Sequence, residues 1–155
     1  MANDNVKVIA RNRKARHNYH IEDTLEAGLV LTGSEIKSIR AGSVDIAEGY
    51  INIQGREMWA HNLYIAPFEQ AADNNHETRR PRKLLLHRYQ ISRWGDNVQQ
   101  KGYTIVPLSL YLRGHLAKLE IGLARGKRQY DKRQDIAKRD AQRRIDRALS
   151  ERGRG

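Results

Sequence analysis

Six histidines, at positions 17, 20, 61, 76, 87 and 115, are the first residues to test for chemistry, and their spacing supports none. No His-Glu-x-x-His pattern accompanies them, and the chain has no cysteine, so a zinc hydrolase site or a thiolate metal site has no donors. His17 and His20 fall on opposite faces of a strand, which parts them as ligands. Gly122-Leu-Ala-Arg-Gly-Lys127-Arg128 looks like a phosphate loop but is one residue short between its glycines. It also has Arg128 where a Ser or Thr would hold magnesium. Carboxylates stand singly among basic residues, with no pair spaced for acid–base work. No catalytic residue, metal or cofactor is expected.

Positive charge is what recurs. Arg11-Asn-Arg-Lys14-Ala-Arg16, Arg79-Arg-Pro-Arg82-Lys83 and Arg125-Gly-Lys127-Arg128 are three basic clusters, from which Lys14, Arg16, Arg82 and Lys83 are expected to meet phosphates. Any one cluster would be an ordinary solvated surface. Three of them precede or join a C-terminal segment, Arg125 to Gly155, with twelve Lys or Arg against five Asp or Glu, in a chain of net charge +11. That segment has too few large aliphatic side chains to close a core alone, so it is expected to be disordered when free and to become helical on a polyanion. Pairs one turn apart, Asp135 with Arg139 and Asp140 with Arg144, add only about 0.2–0.5 kcal/mol each. A membrane surface would require bulky Trp or Phe opposite the basic face, and the segment has neither.

With 155 residues, the chain is expected to form one domain over 1–124 and a basic tail over 125–155. The N-terminus has no apolar signal core, and with no cysteine the expected location is cytoplasmic. From His17 to Leu31 apolar residues alternate with polar ones and predict a long strand, bent where Asp23 interrupts the inner row. Thr32-Gly-Ser-Glu35 has the form of a capping box opening a short helix that closes near Gly42. Tyr50–Gln54 and Glu57–Ile65 read as strands joined at Gly55-Arg56. Glu69–Arg82 reads as a mobile loop, and Lys83–Trp94 as a helix stopped by Gly95. The last hairpin, Tyr103–Leu112 and Leu116–Ala124, points Ala117, Leu119, Ile121 and Leu123 inward and Lys118 outward. The fold class is therefore mainly β, a small closed antiparallel barrel of the oligonucleotide-binding type with short helices.

Asn12-Arg-Lys-Ala-Arg-His-Asn-Tyr19, Leu25-Glu-Ala-Gly-Leu29 and Gly33-Ser-Glu-Ile-Lys-Ser-Ile-Arg-Ala-Gly42 resemble, in order, the small protein B family of SsrA-binding proteins. The likeness continues through Thr78–Leu86, Gly102–Tyr111, Ile121–Lys127 and Asp131-Lys-Arg133, nearly the whole chain. The resemblance implies an adaptor that binds transfer-messenger RNA and delivers it to stalled ribosomes, one monomer per RNA. It implies RNA contacts on the body at Glu26, Leu85 and Lys118, with His87 where some relatives carry Asn. It also implies a tail in the decoding centre and empty messenger channel, involving Arg125, Lys127, Arg128, Tyr130, Asp131, Lys132, Arg133, Ala148 and Leu149. A ribosomal RNA-binding or assembly protein with the same barrel and tail is the alternative; a small nuclease would require a carboxylate cluster the sequence lacks.

Overall fold

Period-two alternation carries most of residues 6–126, the part that the computed structural model describes, into strands. The expectations for Lys127, Arg128, Tyr130, Asp131, Lys132, Arg133, Ala148 and Leu149, and for a tail helix, lie outside the described residues. In chain order come β1 (Val6–Arg11), α1 (Arg13–Asn18), β2 (Tyr19–Leu29), α2 (Gly33–Arg40), β3 (Val44–Asp45), β4 (Tyr50–Gln54) and β5 (Glu57–His61). Then follow β6 (Tyr64–Ile65), a 3-10 segment (Glu69–Asn74), β7 (Arg82–Leu85), α3 (Arg88–Lys101), β8 (Thr104–Arg113) and β9 (Leu116–Gly126). Neighbouring strands run β9–β2–β7–β5–β4–β8, and β8 pairs again with β9, which closes the sheet into a barrel. This is the oligonucleotide-binding type of barrel, with β1 added beyond β4 along one edge of β8.

One extra residue in β8 gives the barrel two cores. Pro107 faces Ile121 but Ser109 faces Glu120, so Leu108 is a bulge and side-chain parity flips there. Ile105 before the bulge and Leu110 and Leu112 after it point into the main core with Met58, Leu84, Trp94, Leu119 and Ile121. Val106 and Leu108 instead form a second cluster with Ala15 of α1 and Ala124 of β9. Asn12 fastens α1 to this outer face: its Oδ1 caps the helix by accepting from the Ala15 amide at 3.0 Å, and its Nδ2 donates to the Pro107 carbonyl at 2.9 Å.

Four expectations need correction. Lys83–Trp94 is not one helix: β7 ends at Leu85, and the helix begins at Arg88, runs through Gly95 and stops at Gly102, whose φ of 67° ends the helix in the left-handed region. Leu84 and Leu85 belong to a strand because their faces differ, one buried and one exposed. Glu57–Ile65 breaks into β5 and β6 at Asn62, which adopts φ 60°. Residues 69–82 are not one loop: a 3-10 turn spans Glu69–Asn74, Arg82 opens β7, and between them His76 bonds the Ser34 hydroxyl and the Ile65 carbonyl, each at 2.8 Å. Finally, β1 and α1 occupy the stretch before Tyr19, so His17 is helical and β2 is shorter at both ends than expected.

The capping box opening α2 forms, and its Glu35 does more than cap. Besides accepting from the Thr32 amide at 2.8 Å, it accepts from Arg80 Nη2 at 2.5 Å and Arg82 Nε at 2.5 Å. Both Glu35 and Arg82 have fully buried side chains. Arg82 spends its remaining donors on the carbonyls of Leu63 at 2.7 Å and Thr78 at 3.1 Å. Burial opposes the charge on Glu35, but hydrogen bonds from Arg80, Thr32 and Arg82 outweigh it and hold its carboxyl below the usual range. A depressed carboxylate stabilises the fold fully above its unfolded pKa, and that stability is lost as pH falls through the folded one. Stability should therefore start to fall as the pH drops below about 4.5, the ordinary value for Glu, and keep falling until the folded carboxyl is protonated. Arg82→Ala, which strands a buried carboxylate, should cost about 3–5 kcal/mol in denaturant unfolding at pH 7, and the loss should shrink in acid.

Candidate nucleic-acid interface

Strand register decides which outward-facing groups meet. Gly28 of β2 lies opposite Leu85 of β7, and Lys118 of β9 lies opposite Tyr111 of β8. Since β2 sits between β7 and β9, the outward row reads Leu85, Gly28 with Glu26, Lys118, then Tyr111 with Arg113. A Cβ on Gly28 would come within 3.2 Å of Leu85 Cβ. The missing side chain therefore lets Leu85 lie on the sheet, where it is 54% exposed.

Glu26 is the chemical centre of the row. It accepts from the Tyr111 hydroxyl and, at 2.8 Å, from Arg113 Nη2. Its partial burial opposes the charge, yet the Tyr111 and Arg113 hydrogen bonds, helped by the Arg113 and Lys118 charges, hold the carboxyl below its usual range. Burial, then the bond to Glu26, pushes the Tyr111 phenol up to about 12, so it remains a donor at neutral pH. The outcome is an ionised acceptor pinned among cations at the surface. Such a carboxylate can take two N–H groups from a base edge or a ribose 2′-hydroxyl, with the Lys118 and Arg113 charges beside it.

His87 caps α3 two residues beyond Leu85, and its ring stacks on Tyr89 with centroids 5.6 Å apart and planes 13° from parallel. This extends the row with two exposed rings.

A family model described as SmpB protein matches residues 9–151. The chain belongs to the SmpB protein family. It is 63% identical to the SsrA-binding protein of Roseiflexus castenholzii over 96% of this chain and 94% of that one. It is 56% identical to that of Thermobifida fusca over 94% and 91%. A chain of a solved structure described as "tmRNA-SmpB: a journey to the center of the bacterial ribosome" superposes with a TM-score of 0.66 and 47% identity. That alignment covers 79% of this chain and 87% of the other.

Against this SmpB frame, Glu26, Leu85, His87 and Lys118, expected from sequence, come together around one row. The basic clusters do not. Arg82, expected at phosphates, is 0% exposed and bound to Glu35, so it builds the fold. Lys83 does face out, 2.7 Å from Glu57, while Lys14 pairs with Glu48 at 3.2 Å and Arg16 with Glu120 at 3.1 Å. Such exposed pairs contribute only about 0–1 kcal/mol each, so a phosphate can replace the carboxylate at little cost. Arg125 lies within β9, 2.7 Å from Glu22, and belongs to the barrel instead of the tail.

Sequence reading missed Tyr111, Arg113 and Gly28. The first was available: the two-residue turn after Arg113 fixes Tyr111 opposite Lys118. Removing its hydroxyl gives a direct test. Tyr111→Phe should keep the fold and raise the Glu26 pKa toward 4.5, read from side-chain NMR titration; an unmoved titration would mean that the phenol does not hold the carboxylate.

Proposed function

We propose that the chain is an RNA-binding adaptor that carries SsrA RNA, the transfer-messenger RNA, to stalled bacterial ribosomes for trans-translation. The carrying observation is the family match across residues 9–151, body and tail together. In this reading the barrel grips the tRNA-like end through Leu85, Glu26 and Lys118, with Tyr111 and Arg113 holding Glu26 in place. Residues after Arg125 enter the decoding centre and empty messenger channel, as Tyr130, Asp131, Lys132, Arg133, Ala148 and Leu149 would require.

The chemistry of the row supports recognition of folded RNA. One ionised acceptor, two cations and one apolar side chain read a ribose, a base edge and phosphates together, and none of them is arranged to make or break a bond. The chain performs no catalysis in this scheme; peptide tagging uses the ribosome's own chemistry. No helix among the described residues is long and apolar enough to cross a membrane, and the work is assigned to the cytoplasm, one monomer on each RNA.

Two experiments test it. RNA recovered with the protein from cells should be dominated by one tRNA-like species; stoichiometric ribosomal RNA without it would favour an assembly role. Truncation after Tyr130 removes nine basic and five acidic residues and none of the described barrel. The shortened protein should unfold at the same temperature and still bind the tRNA-like domain, yet fail to support tagging. Tagging at the full rate would exclude a working tail.

A further inference from the structure

Two residues beyond Leu85 the row continues into a pair of stacked rings, His87 and Tyr89. Tyr89 is 68% exposed, the most exposed large apolar side chain among the described residues. His87, also exposed, lies parallel to it at 5.6 Å. The His87 amide donates to Gln90 Oε1 at 3.0 Å, which fixes the backbone carrying that ring at the start of α3. The rings are thus ordered by the helix start and by each other, and most of the Tyr89 side chain stays in water.

An exposed, pre-stacked aromatic pair on a basic protein suits flat partners with a π-face. Each nucleobase has such a face, and stacking on an aromatic side chain is indifferent to base identity. Two further observations narrow the occupant to RNA already held by this protein. The pair is continuous with Leu85, two residues before His87, on the same strand-to-helix passage. Arg88, exposed between the two rings in sequence, supplies a cation for the phosphate of a stacked nucleotide.

We propose that Tyr89, backed by His87, is a stacking platform for one unpaired nucleotide of the RNA gripped by Glu26, Leu85 and Lys118. This rests on the RNA-binding reading above and adds to it a site for a splayed-out base. A protein partner docking its own aromatic side chain on the pair is the competing occupant, and it would leave RNA affinity untouched.

The test uses full-length protein and the tRNA-like domain of SsrA RNA. Because Tyr89 is exposed, Tyr89→Ala should not change the thermal transition. It should weaken RNA binding roughly thirtyfold, the middle of the range for losing one base stack. Tyr89→Trp should restore the affinity and Tyr89→Leu should not, since only a flat ring stacks. The loss should be the same at low and moderate salt, because no ion pair is removed. Lys118→Ala, in contrast, should lower the slope of log affinity against log salt by about one.

If Tyr89→Ala binds like the parent while Lys118→Ala is weakened, the platform is wrong and the RNA-binding row stands. If Tyr89→Leu binds as well as Tyr89→Trp, the contact is apolar and not a stack, which also overturns the proposal. If neither Tyr89→Ala nor Lys118→Ala affects binding, the RNA-binding reading itself falls.

Discussion

Glu35 is the constraint on which the rest of the body depends. It is a buried carboxylate at the start of α2, and a buried charge persists only when it is fully paired. Its partners come from far along the chain: Arg80 and Arg82 lie 45 and 47 residues away. Arg82 in turn ties the carbonyls of Leu63 and Thr78. One acid therefore fixes α2, the connection after β5 and the entry to β7 relative to each other. Because Leu85 is only three residues beyond Arg82, the position of the exposed leucine is set by this buried pair. A lesion at Glu35 would be expected to disturb RNA recognition without touching any contact residue.

The exterior is shaped by small departures from regularity. The Leu108 bulge turns Val106 and Leu108 outward beneath α1 and returns Leu110 and Leu112 to the core. By the same shift, Ser109, Tyr111 and Arg113 become the outward residues at the far end of β8. Without the bulge, Tyr111 would point into the barrel and Glu26 would lose its donor. The outward row thus owes its composition to one inserted residue, and α1 covers the apolar face that the insertion exposes.

Much of this was legible in the chain itself. Alternation in β2 and β9 is strict enough to put Glu26 and Lys118 outside, and the Thr32–Glu35 capping box was visible as a motif. What failed did so for identifiable reasons. Lys83–Leu85 and the helix that follows read as one helix because Leu84, Leu85 and Leu86 form an unbroken apolar run, which periodicity cannot divide. Arg82 read as surface because arginine is almost never buried, and its partner Glu35 was already explained as a cap. A capping carboxylate with a second, distant obligation leaves no mark in local sequence. The separation of Leu85 from Glu26 in sequence likewise hides their meeting, which only the pairing of Gly28 with Leu85 brings about.

Charge is divided between body and tail in a way that assigns them different tasks. On the barrel, Lys14, Arg16, Lys83, Arg113 and Arg125 each stand beside a carboxylate. A cation that leaves such a partner for a phosphate gains one ion pair and gives up another, so the net electrostatic drive is small. In the proposed reading, what remains to distinguish one RNA from another is geometry: the spacing of Glu26, Lys118 and Leu85 on a closed barrel that cannot slip in register. After Arg125 the chain carries eleven Lys or Arg against five Asp or Glu. An excess of that size draws the segment toward any dense array of phosphates, with little regard to sequence. A body that recognises by shape and a tail that binds by charge suit a protein that must choose one RNA and then take it to a ribosome, whose phosphates are everywhere.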